Sequence, residues 1–241
     1  MVHHGRMSDS PAYAEVVRLL ESATRRLVRT VDAMADFQFA EPSLLPGWTR
    51  GHVVAHLVLN AEGLAAALEG VREHRGVPMY ASQEARDSDI EELSGADPAV
   101  LRDRLLASTT AIHDAVEELP EDLHSTRIER TPGSDRTFTA GRVGEMRLRE
   151  VEIHHADLDL AYTWAEWPSD FTVLLLDNRG GVHDGPPFTA RAVDLGRSWS
   201  FGDGGPTVTG PGALLAWWAT GRDPGDGLTS DDGKLPRMET W

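Results

Sequence analysis

Apolar residues recur at three- and four-residue steps through most of the first two-thirds of the chain. Between Pro11 and about Ala35, the residues Val17, Leu20, Leu27, Val31 and Met34 fall on one side with Arg and Glu between them. That spacing predicts an amphipathic helix. The stretch "EPSLLPGWT" ends it with Pro42, Pro46 and Gly47, residues that break helices and turn chains. Thr49 then stands as an N-cap for a second helix to about His74, with Val53, His56, Leu57, Asn60 and Leu64 on one face. "RGVPMYASQEARDSD" is too polar and irregular for a core element and reads as a loop. Asp97 and Pro98 pair as cap and first-turn residue for a third helix to about Leu119, whose stripe is Leu101, Leu105, Ile112, Val116 and Leu119.

Residues 125–139 read as a loop or irregular hairpin around "TPGSD". A fourth helix is expected from about Ala140 to Trp164, with Val143, Met146, Glu150, His154, Asp157 and Ala161 along one side. Four amphipathic helices separated by loops predict a four-helix bundle. After "EWPSD" the pattern changes. A short helical piece from Phe171 to Asn178 leads to alternating segments at "FTARAVDL", "SWSF" and "PTVTG", then to a helix at "GALLAWWATGR" and a Gly- and Asp-rich tail. The expected fold class is mainly α with a small α+β C-terminal domain: a bundle over residues 1–167 and a small α/β unit over residues 168–241.

Charge narrows the partners. With 23 basic against 39 acidic residues the chain carries a formal charge of -16 and shows no basic stripe, so no nucleic-acid partner is expected. No apolar run approaches a membrane span, and the N-terminal segment lacks the apolar middle of a signal peptide. A cytoplasmic location without a membrane partner is the default. Cysteine is absent, which excludes disulfides, thiolate metal sites and a sulfur nucleophile borne by the protein. Any metal must rest on His and carboxylate ligands, and any thiol chemistry must use a thiol from outside.

Glu150 and His154 are one helical turn apart on the face that the fourth helix buries, whereas Glu152 and His155 point elsewhere. A buried carboxylate beside a buried imidazole is costly unless both are compensated. The second helix offers His52 and His56 in "GHVVAH". His56 lies in the apolar seam, and His52 sits in the first turn, where a solvated or capping role suits it better. Bundle interiors build metal sites from such inward-facing groups, and two His with one Glu plus an open position is a catalytic zinc set. The spacing is equally compatible with His56 bonding a backbone carbonyl while Glu150 pairs with an Arg. Asn60 and Asp157, about one turn beyond the histidines, are candidate orienters of the ligands or cofactor. Arg86 and Arg222 are candidates for bidentate carboxylate binding.

Together, "LLPGWTRGHVVAHL", "RLREVEIHHADL" and "GALLAWWATGR" resemble the mycothiol-dependent maleylpyruvate isomerase family, in the right order and over nearly the whole chain; the loop "PMYASQEAR" resembles it too. The resemblance implies a DinB-like four-helix bundle, a small α/β C-terminal domain, and zinc held by His56, Glu150 and His154. It matches Arg222 to an arginine the family uses for activity, and places Arg86 in a matching loop without an assigned role. It also implies the reaction, 3-maleylpyruvate to 3-fumarylpyruvate in gentisate-type aromatic breakdown, with mycothiol as cofactor. Thiolate addition would make the cis double bond single, rotation would follow, and elimination would restore it as trans. Three competing readings use the same residues: a mycothiol S-transferase on another electrophile, a zinc hydrolase with Asp157 as base, and a closed, non-catalytic site with His52 as a fourth ligand.

Overall fold

The structure, a computed structural model, describes residues 13–239. Residues 1–12, which include the expected first-helix start at Pro11 and the head of the first domain, and residues 240–241 lie outside the described residues. The chain divides into two units, Ala12–Ala161 and Tyr162–Trp241.

The N-terminal unit contains helices α1 (Tyr13–Ala33), α2 (Arg50–Arg72), α3 (Gln83–Ser94) and α4 (Pro98–Glu117), a hairpin of β1 (Arg127–Glu129) and β2 (Thr137–Thr139), and helix α5 (Val143–Asp157). Helices α1, α2, α4 and α5 form the bundle. Two of them begin at a polar cap. The Thr49 hydroxyl accepts the His52 backbone N–H at 3.3 Å, and the Asp97 carboxylate accepts the Ala99 N–H at 2.8 Å, so both predicted N-caps satisfy amides that the helix cannot. Leu64 and Leu68 of α2 pack in one fully buried cluster with Ile112 and Val116 of α4, each such side chain contributing about 1.5–3 kcal/mol relative to exposure. Among the described helices, α2 has the length and hydropathy of a membrane span, contrary to the reading of the bare sequence. However, 67% of its most apolar window is buried inside the protein, which marks it as the central core helix.

Two elements depart from expectation. The polar stretch after Tyr80 is not a loop: residues Gln83–Ser94 form α3, because the Ser82 hydroxyl caps the Ala85 N–H at 3.0 Å and the helix needs to bury only Ile90 and Leu93. Helix α5 stops well before Trp164. The Arg50 guanidinium takes the Leu158 carbonyl at 2.6 Å and the Asp159 carbonyl at 3.0 Å, and Asp159 turns to φ 54, a left-handed conformation that ends a helix.

The C-terminal unit contains α6 (Ser169–Val182), β3 (Phe188–Ala192), β4 (Arg197–Phe201), β5 (Thr207–Gly210), α7 (Gly212–Ala219) and β6 (Thr229–Ser230). The sheet order is β4-β3-β5-β6, with β3 antiparallel to β4 and parallel to β5. Phe188 stacks on Phe201 at 4.3 Å and meets Trp218 edge-on at 5.1 Å, an aromatic core for a small unit. The division falls a few residues before the Pro168 break read from the sequence. Trp167 packs edge-on against Phe171 at 5.1 Å and Trp217 at 5.6 Å, so the segment leading to α6 belongs to the C-terminal core.

Candidate metal centre

Glu150 is the centre of the site. Its Oε2 lies 2.9 Å from His56 Nε2, across 94 residues of sequence, and 3.3 Å from His154 Nε2 one turn along α5. One ligand atom from each of the three residues falls within 4.8 Å of the others. The two imidazole rings meet edge to face with centroids 4.7 Å apart. A tetrahedral zinc with ligands at about 2.0–2.1 Å holds neighbouring donor atoms roughly 3.3 Å apart, so the donor set and its spacing fit a divalent cation. No arginine pairs with Glu150, and His56 does not reach a backbone carbonyl, among the described residues.

The electrostatics follow from three ionisable groups packed together, two buried imidazoles and a carboxylate that stays partly exposed. Burial works to raise Glu150, but bonds and charge from His154 and His56 hold its carboxyl well below the usual range. Burial pushes His56 down to about 4, with help from the charges of His154 and Arg86 and against the pull of Glu150. Burial also works to lower His154, yet Asp157 and Glu150 outweigh it and hold this imidazole above its ordinary value. An ionised carboxylate beside imidazoles is the state a metal takes up with least proton release.

The two histidines differ in what stands behind them. His154 Nδ1 faces Asp157 Oδ2 at 2.8 Å, and Asp157 is fully buried. This carboxylate–histidine pair is the usual support of a metal-ligating imidazole. His56 Nδ1 instead faces Arg86 Nη2 at 3.1 Å, a donor.

The remaining sequence candidates fall in different places. Asn60 does not reach the ligands; its Oδ1 accepts from Arg147 Nη1 at 2.8 Å, a bond that the Leu57 carbonyl shares. The phase along α2 placed Asn60 inside but could not show which helix met it. His52 is turned away, with Nδ1 at 3.2 Å from the Thr49 N–H and Nε2 at 3.2 Å from Glu91 Oε2, so it completes a cap. Arg222 belongs to the C-terminal unit, where its guanidinium carbon lies 5.7 Å from the Trp217 ring centre, within cation–π range. Glu152 and His155 do point away from the site, as their phase demands, but they are buried against α1: Glu152 meets Arg26 at 2.5 Å and His155 meets the Thr30 hydroxyl at 2.8 Å.

Sequence reasoning missed Arg147. It is fully buried, three residues before Glu150 on the same helix, and a residue at that spacing shares the face. Its position in "RLRE" was therefore a usable signal. Burial lowers it to about 10, opposed by the Glu150 charge. It is still a cation at neutral pH.

A family profile, mycothiol maleylpyruvate isomerase N-terminal domain, matches residues 20–159, a span that contains every residue of the centre. The chain belongs to that family. Two solved structures match as well: a mycothiol-dependent maleylpyruvate isomerase at 29% identity and TM-score 0.85, and a histidine-to-alanine variant under the same name at 28% and 0.84. Each alignment covers 96% of this chain and 98% of the other, so this family member shares both of its units with them. No curated protein matches the chain. The fold is mainly helical, with a small sheet region in the C-terminal part.

Proposed function

We propose that the protein is a mycothiol-dependent cis–trans isomerase that converts 3-maleylpyruvate to 3-fumarylpyruvate, with zinc held by His56, Glu150 and His154. The observation that carries this reading is the convergence of those three donor atoms, backed by Asp157, inside a member of a family whose solved representatives bear that activity's name. A cis double bond conjugated to carbonyls turns only when its π component is interrupted, and reversible addition of an external thiol does that. Mycothiol supplies the sulfur nucleophile that a chain without cysteine lacks. When bound, zinc would favour the thiolate form of that sulfur at neutral pH.

The chain's own residues do the rest. His56, Glu150 and His154 would hold the cation through three donors, a set that in a four-coordinate zinc would keep one position for an incoming sulfur. Asp157 fixes the ring of His154. Arg222 and Arg86 are assigned to the carboxylates of substrate or cofactor and to the negative charge that develops on the substrate oxygen.

Two of the competing readings lose support. A zinc hydrolase needs a free base beside the metal, and Asp157 is fully buried and committed to His154. A closed four-ligand site needs His52, which is committed to Thr49 and Glu91. An S-transferase would use the same ligands and is separated by its product. The test is an absorbance assay on maleylpyruvate with and without mycothiol, beside metal analysis of the purified protein. Fumarylpyruvate formed only with thiol supports the isomerase; turnover without added thiol rules out the thiol mechanism, and a stable thioether product reassigns the protein as a transferase.

A further inference from the structure

Helices α1 and α4 run antiparallel and are tied together near both ends. The Tyr13 hydroxyl donates to the Val116 carbonyl at 2.7 Å, and the Arg102 guanidinium donates to the Met34 carbonyl at 2.6 Å. Between the ties lies a groove of about 360 Å³, within the size range of small-molecule sites. It is remote from the metal centre. Helix α1 packs against α4 and α5, and α2 packs against the same two helices. The α1–α4 groove and the α2–α5 centre are therefore on opposite sides of the bundle.

On α4 the lining is Leu106, Thr109, Thr110 and His113, one face of that helix at three- and four-residue steps. Thr109 donates its hydroxyl to the Leu105 and Leu106 carbonyls at 2.8 and 3.0 Å, and Thr110 donates to the Leu106 carbonyl at 2.9 Å. Those hydroxyls are spent on their own helix, so both residues add methyl groups to the lining. With Val28 of α1 and the exposed Leu106 they make an apolar floor.

Polar groups stand at the two ends of that floor. Antiparallel packing sets His113, three residues before the Val116 tie, toward the start of α1, and sets Arg29, five before the Met34 tie, toward its end. His113 Nδ1 is buried without a hydrogen-bond partner, and its Nε2 is 3.6 Å from Glu117, beyond hydrogen-bond reach. Along the α1 rim, Arg25 pairs with Glu21 at 3.2 Å, whereas Arg29 forms no ion pair among the described residues. A wholly apolar occupant would leave the buried nitrogen unsatisfied. A cationic one would meet the charge of Arg29.

We propose that the α1–α4 groove is a second ligand site, which takes an elongated amphipathic anion. The acid group sits at Arg29, an apolar chain covers Val28, Leu106 and the threonine methyls, and a hydrogen-bonding group reaches His113. Neither metal nor thiol enters this site, so it stands independently of the isomerase reading.

The test is calorimetric titration of the full chain with three probes of one chain length: octanoate, 8-hydroxyoctanoate and octylammonium. Octanoate should bind about fivefold more tightly than octylammonium at low salt, the scale of an exposed ion pair. Arg29→Gln should erase that preference. The terminal hydroxyl should tighten binding further, and His113→Phe should remove its advantage. Leu106→Trp fills the groove from an exposed position and should abolish octanoate binding; Thr110→Trp should do the same and serves if the first variant misfolds. His56→Ala lacks a donor of the metal centre and should bind octanoate as the unaltered protein does, which separates the two sites. The proposal is overturned if octanoate does not bind, if octylammonium binds as tightly, if 8-hydroxyoctanoate gains nothing, or if octanoate binding survives both tryptophan substitutions. Loss of octanoate binding in His56→Ala would move the ligand to the metal centre. Sedimentation velocity covers the remaining occupant: a dimer that Leu106→Trp dissociates would make the groove an interface between copies and overturn the ligand site.

Discussion

His154 and Asp157 stand less than one turn apart on α5, with the ring Nδ1 2.8 Å from the carboxylate oxygen. A single helix therefore supplies a candidate ligand, the carboxylate behind it and Glu150 in fixed relation. Removing the orienter while keeping all three donors should weaken metal binding without abolishing it. We expect Asp157→Ala to lower zinc affinity by about 10–100-fold, the usual cost of losing such a partner, as read by chelator competition. An unchanged affinity would reduce Asp157 to a packing role.

The two histidines of "GHVVAH" should behave oppositely. His56→Ala removes a donor from the centre and should abolish stoichiometric zinc together with any thiol-dependent turnover. His52→Ala removes the side-chain half of a cap built with Thr49 and a contact with Glu91 and should retain zinc, with a stability loss of about 0.5–2 kcal/mol, the range for cap substitutions. Metal analysis and chemical denaturation of both variants check this. Loss of zinc in the His52 variant would reopen the four-ligand reading.

Asn60 should prove structural. Its oxygen accepts from the fully buried Arg147, and hydrogen bonds to charged groups contribute about 1.5–3 kcal/mol. Asn60→Ala should lower unfolding free energy by that order while zinc stoichiometry stays intact. Denaturant titration beside metal analysis reads both quantities, and zinc loss at unchanged stability would restore a role at the centre.

Acid should destabilise the metal-free protein. Burial holds His56 down to about 4 and His155 down to about 3, so as pH falls from 6.5 toward those values the unfolded chain binds protons that the native one refuses. Stability is then lost on acidification. Glu150, held well below its usual range, acts in the same direction below pH 4.5. His154 is raised, so its contribution is fully present below pH 6.5 and is lost as pH rises through its folded value. The unfolding midpoint in denaturant should therefore decline between pH 6.5 and 3. His155→Asn should flatten part of that decline, and equal slopes in both proteins would count against the assignment.

The sequence by itself determined relations within single elements. Spacing placed Glu150 and His154 on one face of α5 because side chains four apart are stacked by helix geometry. It located the caps at Thr49 and Asp97 because only short polar side chains satisfy the first amides there. The lack of cysteine confined any metal to imidazole and carboxylate. Periodicity carries no information on which helix meets which. Only tertiary structure brought His56 to Glu150 across 94 residues, set Arg86 against the far nitrogen of His56 and gave Asn60 to Arg147. It also turned the polar stretch after Ser82 into α3, through one cap and two buried side chains, too small an apolar signal to read locally. Phase along a helix is a local property of the backbone, whereas partnership across the core depends on how whole surfaces pack, and that is decided only when the chain has closed on itself.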